Sequence, residues 1–111
     1  MSIEEVWAIG LFEGEGSIII QRSCNSAYLT VSMTDLDVIN RLQQVWGGKI
    51  YLRKNQNPKW KQAWRWQLGG KNRVKKVLNR MLPFLSERRA CKALDALDRI
   101  DGCYSEYQGR D

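Results

Sequence analysis

Two glutamates separated by a single glycine, Glu13 and Glu15, stand in the segment Ala8-Ile9-Gly10-Leu11-Phe12-Glu13-Gly14-Glu15-Gly16-Ser17. Carboxylate oxygens are what a hard divalent cation takes as ligands, and metal-assisted hydrolysis is the chemistry they would serve. The apolar run before them predicts a helix that delivers both acids in its last turn. There the negative end of the helix dipole opposes each by about 0.3–1 kcal/mol unless a cation compensates. Taken alone, the segment reads equally well as two solvated acids ahead of a strand.

The absent residue types narrow the chemistry. With no histidine in the chain, imidazole cannot act as general base, and His-ligated zinc is excluded. No Asp/Glu-x-Lys triplet occurs, which disfavours nucleases built on that pattern. Three cysteines, Cys24, Cys91 and Cys103, show no C-x-x-C spacing. They read as reduced thiols, with Cys91 a small apolar filler on a helix and no structural zinc.

The chain has 111 residues and a mass of 12.9 kDa, room for one domain spanning 1–111. No stretch approaches a membrane span, and the opening MSIEEVW is acidic and unlike a signal peptide. The expected location is therefore cytoplasmic or organellar, not secreted, with no membrane partner. The net charge of +6 is unevenly spread. Residues 1–37 carry six acids against Arg22, whereas residues 38–92 carry fifteen basic groups against Glu87 alone. A one-signed block of this kind suggests a polyanionic partner, because each Lys or Arg that meets a phosphate releases counterions. A solvated basic face with no partner is the alternative. Trp46, Tyr51, Trp60, Trp64 and Trp66 lie within the basic stretch, so it should be folded.

The elements that must position these groups follow from periodicity. Ser2 and Glu5 have capping-box spacing, and Val6, Trp7, Ile9, Gly10 and Leu11 carry a helix to about Glu13. Gly14 and Gly16 are expected to end it by adopting positive φ. Residues 17–23 and 27–33 form a hairpin around Cys24-Asn25-Ser26. Thr34 and Asp37 open a second helix that uses Val38, Ile39, Leu42, Val45 and Trp46, and Gly47-Gly48 closes it. A second hairpin pairs residues 49–54 with about 61–68. There Ile50, Leu52, Trp64, Trp66 and Leu68 share an apolar face, and Lys49, Tyr51, Arg53, Arg65 and Gln67 share a basic one. A third helix runs from about Asn72 and stops before Pro83. Ser86 caps a fourth, with Ala90, Leu94, Leu97 and Ile100 inward. The expected class is α+β, in an αββαββα order: an antiparallel sheet with helices on one face and the polar face bare.

With these elements in order, the acidic glycine segment resembles the motif of the LAGLIDADG homing endonucleases, in the variant that reads GLFEGEGS. The resemblance extends through Val31-Ser32-Met33-Thr34-Asp35, Gly47-Gly48 and Leu82-Pro83-Phe84-Leu85, and so covers most of the chain. It implies that the motif helix forms a dimer interface, with Gly10, Glu13 and Gly14 at that interface. Glu15 then matches the metal-binding catalytic acid, and the Gly14 carbonyl a second ligand. Arg88, five residues after Pro83, matches the basic residue at the water network around the scissile phosphate, with Arg89 as the fallback. Both motif acids are glutamate here, a methionine at 33 stands where many members carry glutamine nearby, and the sequence ends soon after the fourth helix.

One motif supplies one catalytic carboxylate, and cutting two strands needs two, so a symmetric homodimer is expected. Gly10 and Gly14, four apart, would let two motif helices approach closely. Each subunit's strands, about 20 Å long, would follow roughly 6 base pairs of major groove. Candidate readers are Gln21, Ser23, Lys49, Tyr51, Arg53, Arg65 and Gln67, while Lys54, Lys59 and Lys61 suit phosphates. The resemblance implies Mg2+-dependent cleavage of double-stranded DNA at a long pseudo-palindrome, with Mn2+ or a similar ion as substitute, in an intron-homing or phage setting. The alternative is a non-catalytic DNA-binding protein or an RNA-splicing maturase, whose partner would include intron RNA.

Overall fold

Ser2 begins the first helix as its N-cap. Its Oγ accepts the Glu5 N–H at 3.1 Å, half of the expected capping box. In the computed structural model, which describes residues 2–53, 57, 59 and 61–101, that helix, α1, spans Ile3–Glu15. The other elements are β1 (Gly16–Gln21), β2 (Ser26–Met33), α2 (Leu36–Trp46), β3 (Lys49–Leu52), β4 (Trp64–Leu68), α3 (Lys71–Met81) and α4 (Glu87–Ile100). Short 3-10 turns cover Arg22–Cys24 and Leu82–Phe84. Four strands make one antiparallel sheet in the order β1-β2-β4-β3, and with four helices the class is α+β as expected. Among the described residues no helix is long and apolar enough to cross a membrane. Lys54, Trp60 and Cys103 lie outside the described residues.

The described chain falls into two compact units, one of residues 2–17 and 30–68, the other of residues 18–29 and 69–101. In the first, α1 buries Glu5, Ala8, Ile9 and Phe12, and α2 buries Ile39 and Leu42. The buried Glu5 carboxylate accepts the Trp46 indole N–H at 3.3 Å, so the one charged group on that face has a hydrogen-bond donor. Trp46 in turn lies 5.9 Å from the fully buried Trp66, joining α2 to β4. Trp66 donates to the Gly47 carbonyl at 2.7 Å, and Gln43 donates to that of Gly48 at 3.0 Å. These bonds fix the turn after α2, where Gly47 and Gly48 hold φ of 77° and 95°. A side chain at Gly48 would also meet the Gln67 carbonyl at 2.6 Å, so glycine is required there twice over.

In the second unit, Val74, Val77, Leu78 and Met81 of α3 and Ala93, Ala96, Leu97 and Ile100 of α4 are buried, at the i, i+3, i+4 spacing of amphipathic helices. Ser86 takes the N-cap position of α4, and its carbonyl accepts the Ala90 N–H at 2.8 Å.

Several expectations are corrected. α1 continues two residues beyond Glu13, so Gly14 is helical. Gly16 has φ −86°, an ordinary extended value, and does not serve by positive φ. What requires glycine there is packing: a Cβ would sit 2.3 Å from the Phe12 ring. Asp35, not Thr34, is the N-cap of α2. Ser23 belongs to the 3-10 turn and not to the first strand, which ends at Gln21. Cys91 is exposed and fills no core, and Leu94 is 51% exposed because α4 turns Ala93 and Ala96 inward instead.

Candidate functional site

Glu15 is the last residue of α1, and it is exposed. The final carbonyls of a helix have no partner within it, and they mark its negative pole. Here the Gly16 N–H takes the Phe12 carbonyl, and α1 has no basic residue in its last turn. Glu13, half-buried, adds a second carboxylate to the same turn. The arrangement concentrates oxygen donors and negative charge at one end of a helix, which suits a hard cation. Among the described residues no three His, Cys, Asp or Glu side chains come together as a metal cluster. One chain therefore offers a single exposed carboxylate with backbone carbonyls, and a complete oxygen shell needs water, phosphate or another copy. Those donors fit Mg2+, an ion that keeps several waters and takes phosphate oxygens.

Gly10 and Gly14 share the outer face of α1; a Cβ on either would meet nothing within 4 Å. Sequence reasoning placed these glycines but missed how far the uncovered face extends. Ile3 is 83% and Val6 54% exposed, so the face runs from the first turn to the last. Trp7 borders it, with the Arg41 guanidinium 4.0 Å from its ring centroid and bonded to the Glu4 carboxylate at 3.1 Å. The signal was available in the sequence, since a helix with apolar residues beyond one stripe needs cover on more than one side.

The β3–β4 hairpin carries the second set. Lys49 pairs with Gln67 and Tyr51 with Arg65, while Ile50 and Leu52 pair with Trp66 and Trp64 on the opposite face. The Arg53 N–H continues the ladder to the Ala63 carbonyl at 3.0 Å, in line with Lys49 and Tyr51 at two-residue spacing. Gln62 closes this end, its Nε2 donating to the carbonyls of Arg53 and Ala63 at 2.7 and 2.8 Å. Lys49, Tyr51 and Arg53 are exposed, and Arg65 and Gln67 are half-buried. Five of the expected readers thus stand on one face of one hairpin, because the alternate positions are taken by Trp66 and its neighbours. Lys59 and Lys61 are exposed near its loop, and the Lys59 N–H donates to Asn57 Oδ1 at 3.0 Å.

Three candidates lie in the second unit. Gln21 is exposed at the end of β1, Ser23 is exposed in the turn, and Arg88 is exposed in the first turn of α4. Arg89, the fallback for Arg88, is half-buried.

No family model matches this sequence, and no curated protein matches it. Solved structures do. The chain superposes on homing endonuclease I-CvuI, in complex with the I-CreI target in the presence of Mg with the DNA not cleaved, at a TM-score of 0.70 and 18% identity, over 96% of this chain and 71% of that one. The chain has the LAGLIDADG homing endonuclease fold. The archaeal intron-encoded homing endonuclease I-Vdi141I, complexed with DNA, matches at 0.68 and 16% over 94% of this chain and 71% of that one. The group I intron-encoded I-CeuI, also complexed with DNA, matches at 0.69 and 10%, over 98% and 59%. At such identities the likeness is one of fold. The elements follow in the order read from the sequence, with β3–β4 after α2 and before α3.

Proposed function

We propose that this chain is a site-specific, double-strand DNA endonuclease that acts as a homodimer with a divalent metal, on a long pseudo-palindromic target. The observation that carries this reading is the end of α1: an apolar helix with an uncovered glycine face terminates in one exposed carboxylate, Glu15. A face of Ile3, Val6, Gly10 and Gly14 calls for an apolar cover. A second copy supplies that cover and, with it, the second carboxylate.

In this reading the Glu15 carboxylate and the Gly14 carbonyl hold the cation, Mg2+ or a similar ion such as Mn2+. When bound, the ion supplies Lewis acidity towards the phosphodiester and favours deprotonation of the attacking water. Glu13 supports the interface end of the helix. Arg88 offers a permanent positive charge to the scissile phosphate and its waters. Lys49, Tyr51, Arg53, Arg65 and Gln67 read base edges, joined by Gln21, with Ser23 in the adjoining turn. Lys59 and Lys61 hold phosphates, which set register without reading sequence. DNA-bound homing endonucleases of the same fold, two of them intron-encoded, support the DNA partner. In this reading the setting is intron homing, and the location cytoplasmic or organellar.

The test is a cleavage selection from a large DNA library with Mg2+, with Glu15→Gln in parallel. A pseudo-palindrome cut by the native protein alone, and still bound by the variant, is the expected result. Equal cutting by Glu15→Gln would overturn the role of Glu15. Specific binding without cutting under any divalent ion would favour the non-catalytic reader, and intron RNA binding with splicing activity the maturase.

A further inference from the structure

Helix α3 has a charge pattern that folding explains only in part, through the Lys75–Asp101 ion pair at 2.6 Å. Its inner side is Val74, Val77, Leu78 and Met81, and every other residue of the helix is lysine, arginine or asparagine. It contains no acid. Arg73, Lys76 and Arg80 follow one another at i, i+3 and i+7, so they form one stripe about 10 Å long along the outer face, flanked by Asn72 and Asn79. All five are exposed. Arg73 and Lys76 make no ion pair among the described residues.

Stability argues against this arrangement on three counts. Like charges three and four apart on a helix repel one another. Lys71 and Arg73 sit in the first turn, at the positive end of the dipole, where acids are favoured. The N-cap is Gly70, which offers no side-chain acceptor to the first amides. Helix α4 of the same unit shows what a solvated face looks like here. It intersperses Glu87, Asp95 and Asp98 with its cations, and Asp95 pairs with both Arg22 and Arg99. A face kept one-signed against these costs is a face with an anionic partner.

We propose that the outer face of α3 is a second DNA-contacting surface, which binds the phosphate backbone of duplex DNA without reading its sequence. The side chains choose the partner. Lys and Arg meet phosphate oxygens, and Asn adds neutral hydrogen bonds to phosphate or sugar. The outer face has no aromatic residue on which an unstacked base could lie, so single-stranded nucleic acid is disfavoured. The duplex partner rests on the proposed function, but binding through α3 does not depend on cleavage. Its role is to hold the protein on non-target DNA through counterion release.

The experiment measures binding of the full chain to a random-sequence 30-base-pair duplex by fluorescence anisotropy, without divalent metal, across a salt series. The variant is Arg73→Gln/Lys76→Gln, with Lys92→Gln on α4 as a charge control. Each phosphate that is no longer neutralised lowers the slope of log affinity against log salt by about 0.9, so the double variant should lose up to ~1.8. Affinity should fall several-fold at about 0.15 M salt. Lys92→Gln should leave the slope unchanged, and circular dichroism should show both variants folded. An unchanged slope in the double variant overturns the proposal. So does a loss confined to an RNA of the same length. If the native chain binds and cuts its target while the α3 variant matches it on random duplex, only this inference fails. If the native chain binds no DNA, the proposed function fails with it.

Discussion

Replacing Gly16 by alanine should destabilise the protein by about 1–3 kcal/mol, although the change adds a single methyl group. The backbone at Gly16 is not the reason, because φ −86° and ψ 164° suit any residue. The reason is the Phe12 ring, whose nearest atoms would lie 2.3, 2.5 and 2.5 Å from the new Cβ. Such distances are far inside contact, so the ring must move. Phe12 is fully buried on the inner face of α1 and has no solvent to move into. At about 2.1 cal/mol/K per residue, the expected cost lowers the melting temperature of a chain this size by roughly 4 °C per kcal/mol. The assay is urea unfolding at fixed protein concentration, with Gly16→Ala, Phe12→Leu and the double variant. A shorter side chain at 12 should relieve the clash, so the two effects should couple by at least ~1 kcal/mol instead of adding. A Gly16→Ala midpoint within about 0.5 kcal/mol of the native protein, or strictly additive effects, would refute the packing account. Because Glu15 is the next residue back, the same variant should also depress cleavage at temperatures where it remains folded.

Gly10→Ala and Gly14→Ala should leave folding intact or improve it by about 0.5–1 kcal/mol each, since neither new Cβ meets an atom within 4 Å. The pair should weaken self-association in sedimentation and lower cleavage together; unchanged association would remove α1 as the interface. Arg65→Gln should cost about 1–3 kcal/mol of target binding and relax selectivity at one base-pair position per half-site, whereas Lys59→Gln should weaken all sequences alike and reduce the salt slope by about 0.9. Trp66→Phe removes the 2.7 Å bond to the Gly47 carbonyl and part of a fully buried ring, and should cost about 2–4 kcal/mol in urea unfolding.

What the sequence disclosed followed from its regular patterns. Alternation in Ile50, Tyr51, Leu52 and in Trp64, Arg65, Trp66 assigned the hairpin faces correctly, because one face packs on α2 and a slip of one residue would invert it. Helix ends were less legible. Gly14 and Gly16 look alike in the sequence, yet one is helical and faces outward, and the other lies under Phe12. Only tertiary contact separates those two cases. Leu94 and Cys91 misled for a related reason: the buried stripe of α4 is Ala93, Ala96, Leu97 and Ile100, so two alanines take the inward positions that a larger side chain at 94 suggests for itself. The α1 outer face was legible only as an excess of apolar positions beyond one buried stripe, because Ile3, Val6 and Leu11 are spread round the helix and give no clear periodicity from which to read an orientation.

In the proposed function, helix α1 joins stability, assembly and chemistry in one element of thirteen residues. Its inner face, through Ala8, Ile9 and Phe12, holds the first unit's core. Its outer face, where Ile3 and Val6 are exposed and Gly10 and Gly14 are bare, is the one the proposed homodimer would cover. Its C-terminus carries an acid that helix electrostatics disfavours in isolation. In the proposed homodimer the acid's compensation would arrive with the partner, when a cation and a phosphate bind where two helix ends meet. A glutamate at 15 is then least stable in the free chain and most useful in the complex. The repulsion between two such helix ends would make tight dimerisation without metal or DNA unfavourable, so self-association of the free chain should strengthen when divalent cation is added, and Glu15→Gln should remove that dependence. A dimer whose affinity ignores both the cation and the substitution would separate the interface from the chemistry and refute the coupling.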